Sequence, residues 1–221
     1  MSITRHDVYK TDRLTVSETM IRGLRPHNVL EIGAGDFSFD YMRNMAAGAW
    51  IKADFALPCD VICDFNSVSL SLPFSDQQFD LIICTEVLEH LLWPQQLLKE
   101  AHRVLTPKGK IIVSVPNITS LSYRFAWLMG RIPSCAASGN LPPELGSTAY
   151  RKNDESLVGG HVIDFDLKRL QGLLNLTGFK AVIIRGSGII WHRQILPHWL
   201  VPPSLSSNII CLAEKSLTSR I

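Results

Sequence analysis

The chain has 221 residues, 46% of them hydrophobic and 19% charged, with a net charge of +2; that is long enough for one well-cored domain and short for two. No basic cluster or stripe stands out, so nothing signals a nucleic-acid partner. Cys59, Cys63, Cys84, Cys135 and Cys211 form no C-x-x-C pair, which argues against a disulfide framework or a zinc knuckle. The first residues lack an apolar signal core, and no run of about 18 apolar residues occurs, so no transmembrane segment is expected and a reducing cytoplasm is the expected location.

In chain order, Leu14, Met20, Ile21 and Leu24 predict a covering helix over 11–24, ended by Gly23 and Pro26. Asn28 to Asp36 then reads as a short buried strand (Val29, Leu30, Ile32) that ends in Gly33 and Gly35 and turns into a helix over 37–47. Glycine serves where a backbone turns sharply or a ligand lies against bare main chain, so this is a nucleotide-binding turn. Ser38 stands where a dinucleotide fingerprint needs its third glycine, and no Gly-Lys-Ser/Thr follows, so both phosphate readings lose ground. A strand over 49–54 ends in Asp54, about 20 positions after Gly33, the spacing at which a carboxylate meets ribose hydroxyls.

Val61 to Cys63 predicts the next strand, followed by Asp64 and Phe65. The apolar run Leu81 to Cys84 suits a central parallel strand, leaving Cys84, Thr85 and Glu86 at the carboxyl edge of the sheet, where ligands of open α/β folds bind. An amphipathic helix over 94–105 and a strand over 110–115 come next. Residues 116–160, with the aromatic run Tyr123 to Met129, break this rhythm and read as a lid or acceptor-site insertion in a single domain over 1–221. A helix over 166–176 and strands over 179–184 and 208–213 complete the chain. Between those strands, Trp191, His192, His198 and Trp199 suit an acceptor wall, a dimer contact or a membrane-surface patch.

Glu86, Glu89 and His90 fall at i, i+3 and i+4, on one face if Glu86 opens a helix, and His161 adds a second imidazole downstream. Three readings stay open: a divalent-metal site, a general base for a hydroxyl, or acidic residues placed by a helix dipole. A mixed oxygen and nitrogen donor set suits Mn²⁺, Fe²⁺ or Zn²⁺ well and Mg²⁺ only moderately.

Glu31, Gly33 and Gly35 resemble motif I, E/D-x-G-x-G-x-G, of the class I S-adenosylmethionine (SAM)-dependent methyltransferases, with Phe37 in place of the last glycine. Leu72 to Asn117 follows the small-molecule methyltransferase pattern L-P-F-x-D-x-x-F-D, E-V-L-E-H-L, L-x-P-G-G and V-P-N, with Lys108 replacing one turn glycine. The resemblance implies an α/β, Rossmann-like, seven-stranded, mostly parallel sheet with helices on both faces and an antiparallel last strand. It also implies SAM as cofactor, with Glu31 meeting the ammonium through water or loop contacts. Asp64 would meet the adenine amino group, Phe65 the ring, and Tyr9 and Arg13 the carboxylate. Glu86, Glu89, His90 and His161 resemble the divalent-metal site of small-RNA 2′-O-methyltransferases and some ubiquinone-pathway O-methyltransferases. The implied activity is O-methylation of a small-molecule, glycan or lipid-linked acceptor, with a homodimer left open. The alternative is a non-catalytic binding or assembly module on the same fold.

Overall fold

The computed structural model describes residues 5–35, 38–139, 141–142, 145, 150–151, 157–191 and 194–216. Helix α1 (Arg5–Arg22) starts earlier than the hydrophobic spacing predicts, and Val16, Met20 and Ile21 on its inner face are buried. Strands β1 (Val29–Ile32), β2 (Trp50–Asp54) and β3 (Val61–Ile62) follow, then β4 (Phe79–Thr85), helix α2 (Pro94–Val104) and β5 (Leu105–Pro116). The second half holds α3 (Leu121–Leu128), the short pair β6 (Tyr150–Arg151) and β7 (Leu157–Val158), and α4 (Leu167–Leu176). It ends with β8 (Phe179–Gly186), the hairpin β9 (Ile189–Trp191) and β10 (Gln194–Leu196), and β11 (Asn208–Lys215).

Seven strands form one sheet in the order β3-β2-β1-β4-β5-β11-β8. The first five are parallel, and β11 runs antiparallel between β5 and β8, as expected. Two-residue alternation along these strands sorts side chains into two cores. Leu30, Ile32, Ile82, Val113 and Cys211 pack with α2 and α4 on one face. Val29, Leu81, Ile83, Ile112 and Ile210 pack with α1 on the other. Each fully buried Leu or Ile contributes about 1.5–3 kcal/mol. Strand order reverses between β1 and β4, so their carboxyl ends open a crevice, the place where such sheets bind ligands.

Two predicted helices differ. The helix expected over 37–47 is a 3₁₀ segment, Asp40–Met45, while Asp36 and Phe37 lie outside the described residues. A 3₁₀ turn rises about 2.0 Å per residue, so six residues cover roughly 12 Å of return path where an α-helix would cover about 9 Å. Glu86 does not open a helix either: it sits at φ +56 in the turn after β4, and a 3₁₀ turn starts only at Leu88. The expected lid is described in part, and its helix α3 buries no side chain.

The loop before β4 is tied to α2 by Arg103, whose guanidinium donates to the carbonyls of Leu72 and Phe74 and to Glu100 and Asp76. Glu100 also accepts from the Leu72 amide at 2.7 Å, and the Arg103 hydrogen bond is the main cause of its lowered carboxyl pKa. A depressed folded-state pKa means stability that is present above the ordinary carboxylate range and lost as pH falls through the folded value. Replacing Arg103→Leu is expected to cost about 2 kcal/mol at neutral pH and to flatten acid destabilisation, read by urea unfolding between pH 3 and 7. An unchanged acid limb would show that this network does not anchor the loop.

Candidate active site at the β1–β4 crevice

The glycine turn is braced from beneath. Glu31, 2% exposed, accepts from the Phe39 amide at 2.7 Å, the Ser38 hydroxyl at 2.9 Å and the Trp50 indole N–H at 2.9 Å. Its charge is thereby spent on holding the loop, and it can reach a ligand only through that loop. Gly33 and Gly35 both take positive φ, +66 and +43. Their reasons differ: a Cβ on Gly33 would overlap a methyl of Val87, whereas among the described residues nothing lies within 4 Å of a Cβ built on Gly35. The second glycine therefore offers bare main chain to open space. Asp54, at the end of β2, accepts from the Gly35 amide at 2.9 Å and the Phe55 amide at 2.6 Å, which places its carboxylate at the turn.

Asp64 is exposed after β3 and accepts from the Asn66 amide at 2.9 Å, a local Asx turn. Two of the expected cofactor contacts are corrected. Phe65 is 4% exposed and packs in the core with Leu72 and Leu91, because the chain dives inward there, so its ring is not free to face a purine. Cys84 is fully buried inside β4 between Ile32 and Val113, and burial pushes its thiol pKa far up; of the pair only Thr85 reaches the edge.

Beyond Thr85 lie two carboxylates with opposite fates. Glu86 is held by Arg13 at 2.8 Å, the Ser114 hydroxyl at 2.7 Å and the Asn208 amide at 2.9 Å. Asn208 is in turn locked by Ser187. Glu89, 1% exposed, has no hydrogen-bond partner on either carboxylate oxygen among the described residues, its Oε1 lying 4.0 Å from His90 Nε2, and burial, then the charge of Glu86, raises its pKa well above the ordinary range. Beside it stand His90 and His161, rings edge to face with centroids 4.9 Å apart.

His90 Nδ1 faces the Gly159 carbonyl at 2.9 Å, and His161 Nδ1 faces the Cys135 carbonyl at 2.8 Å. A carbonyl only accepts, so each Nδ1 carries a proton. Burial, followed by the neighbouring His161, lowers the His90 pKa and favours its neutral form. Ligand atoms of Glu89, His90 and His161 lie within 4.8 Å of one another. His161 comes from far along the chain, and the amides of Val162 and Ile163 donate to the Glu89 carbonyl to fix it there.

Three of the four residues expected to bind metal are thus brought together. Glu86 is the correction: its position outside the 3₁₀ turn hands it to Arg13 and Asn208 instead. Arg13, expected to close over a carboxylate from outside, is itself 9% exposed and paired with Glu86; the side chain of Tyr9 lies outside the described residues. Sequence reasoning missed Ser114, Ser187 and Asn208, ordinary strand-end residues with no spacing signal. It also gave no role to Asn117, which is fully buried and clamps the carbonyls of Ser204 and Ser206; the quoted V-P-N pattern was its only signal.

A family model described as "Methyltransferase domain" matches residues 27–113. An uncharacterised protein of Methanocaldococcus jannaschii is 30% identical over 49% of this chain and 52% of its own length. A ubiquinone biosynthesis O-methyltransferase of Pseudomonas aeruginosa is 37% identical over 22% of this chain and 21% of its own. The chain therefore spans about half, or less, of the length of these curated relatives. Among solved structures, a protein of Pyrococcus horikoshii aligns with TM-score 0.58 and 16% identity over 97% of this chain and 94% of that one. The Burkholderia thailandensis 1,6-didemethyltoxoflavin-N1-methyltransferase, bound to S-adenosylhomocysteine, aligns with TM-score 0.51 and 16% identity over 95% of this chain and 78% of that one. Residues 27–113 thus match a methyltransferase domain, and the solved structures share the fold of this chain.

The two glycines separate in stability. Gly33→Ala meets both a left-handed backbone and the Val87 methyl, and is expected to cost about 2–4 kcal/mol, whereas Gly35→Ala meets only the backbone term of about 1–2 kcal/mol. Equal losses in thermal or urea unfolding would show that the Gly33–Val87 approach is not what shapes the turn.

Proposed function

We propose that this chain transfers a methyl group from SAM to a hydroxyl of a small-molecule, glycan or lipid-linked acceptor, with a divalent cation held by Glu89, His90 and His161. The observation that carries the metal is the Glu89 carboxylate: a buried carboxylate with no hydrogen-bond donor on either oxygen among the described residues costs several kcal/mol, and a cation beside the two imidazoles removes that cost. The donor set fits Mn²⁺, Fe²⁺ or Zn²⁺ better than Mg²⁺. The cofactor reading rests on the open space over Gly35 at the strand-order reversal and on the family match.

In this reading Gly33 and Gly35 shape the turn, Glu31 keeps it rigid, Asp54 accepts from the ribose hydroxyls and Asp64 from the adenine amino group, and Thr85 lines the crevice. When bound, SAM supplies an electrophilic methyl and the cation lowers the pKa of an acceptor hydroxyl. The chain's own task is to align the acceptor oxygen and exclude competing water. The Nε2 atoms of His90 and His161 would hold the cation beside Glu89, and Arg13 neutralises Glu86 so that the cluster's charge stays on Glu89. The O-methyltransferase among the relatives supports a hydroxyl as acceptor.

Calorimetric titration tests the two halves separately. Wild-type protein is expected to bind S-adenosylhomocysteine with micromolar affinity and Mn²⁺ in a separate, EDTA-reversible step. Glu89→Ala is expected to keep the first and lose the second together with turnover on hydroxylated acceptors. Full turnover in Glu89→Ala would return the cluster to a structural role. Absence of cofactor binding would favour a binding or assembly module.

A further inference from the structure

Helix α3 carries Leu121, Phe125, Trp127 and Leu128, yet none of its side chains is buried. Leu121, Phe125 and Leu128, at steps of four and three residues, share one stripe of α3, and Ile132 follows just beyond its end, after the left-handed turn at Gly130. Such a stripe normally faces a core; here Leu128 is 80% and Ile132 76% exposed. Strand β9 touches α3, and the Leu121 amide donates to the Leu205 carbonyl at 2.9 Å, which ties the start of α3 to the segment after β10. That turn adds Trp199 and Leu200, both exposed.

Charge narrows the occupant. Positions 101–143 and 167–213 contain no Asp or Glu, so all 20 acidic residues of the chain lie elsewhere, while Arg124 and Arg131 stand exposed along the stripe. A second copy would set these arginines against segments 117–139 and 197–206, which themselves carry no Asp or Glu. An anionic bilayer supplies the missing charge, accepts apolar side chains about 5–10 Å into the headgroup boundary, and favours tryptophan at that depth. Among the described residues no helix is long and apolar enough to cross a membrane, so the contact lies in the plane of the interface.

We propose that the face built from α3, Ile132 and the Trp199–Leu200 turn docks on an anionic lipid surface. The placement bears on the acceptor. α3 leaves the sheet just after Asn117 and leads to Cys135, whose carbonyl orients His161. Docking through α3 therefore sets the Glu89, His90 and His161 cluster near the headgroups, where an amphiphile presents a hydroxyl. The choice of an amphiphilic acceptor rests on the methyl-transfer reading; the docking itself does not.

The test is co-sedimentation of the full chain with phosphatidylcholine vesicles with and without one-quarter phosphatidylglycerol, at low and high salt. Wild-type protein is expected to pellet with the anionic vesicles, to be released by about 0.5 M salt, and to show a blue-shifted tryptophan emission. The double variant Leu128→Glu/Ile132→Glu is expected to lose at least tenfold in partitioning while keeping its S-adenosylhomocysteine affinity, so failure of docking and failure of the cofactor site read out separately. Should that variant melt early, quenching of wild-type tryptophan emission by brominated lipid decides without mutation: quenching supports docking and its absence overturns it. Docking is also overturned if neither vesicle is bound, if the glutamates change nothing, or if light scattering finds a dimer that the variant dissociates.

Discussion

The close approach of Gly33 to Val87 is the constraint on which the site depends. It seats the turn after β1 directly against the turn after β4, so that the glycine loop and the Glu86–His90 segment share one crevice. A side chain at Gly33 would push the two apart, and the crevice would lose the wall that faces open space over Gly35. Glu31 and Asp54 act on the same turn from below and from β2, so three strands converge on a stretch of main chain that carries no bulk of its own.

The second organising feature is the unequal treatment of two neighbouring carboxylates. Glu86 receives a guanidinium, a hydroxyl and an amide from three different elements, which fastens α1, β5 and β11 to the carboxyl edge. Among the described residues Glu89 receives no hydrogen bond on its oxygens, although its backbone carbonyl anchors the return of His161. Proteins rarely leave a fully buried carboxylate unmatched, since desolvation is repaid only by a partner or by a proton. In the proposed reading, a cation held with His90 and His161 is that partner.

Much of the fold was legible because it follows short-range rules. Period-two burial in β4, β5 and β11, the amphipathic face of α2 and the glycine turn all express local chemistry, and the antiparallel last strand came with the family resemblance. What failed was set by distance. Whether Phe65 faces a ligand or the core, and whether Cys84 reaches the edge or stays inside, depends on register against strands far along the chain. Glu86 looked like a helix opener from its spacing; its positive φ and its capture by Arg13 and Asn208 come from tertiary contacts that no local pattern encodes. The stripe of α3 has the periodicity of an ordinary core helix, and only the fold reveals that its side chains stay exposed.

The most direct measurement is anomalous diffraction from crystals grown with Mn²⁺ and S-adenosylhomocysteine. The account predicts one strong anomalous peak at about 2.0–2.3 Å from Glu89 and the Nε2 atoms of His90 and His161, with the nucleoside lying over Gly35 towards Asp54. A peak centred on Glu86, or cofactor density with no metal beside an unchanged Glu89, would contradict it.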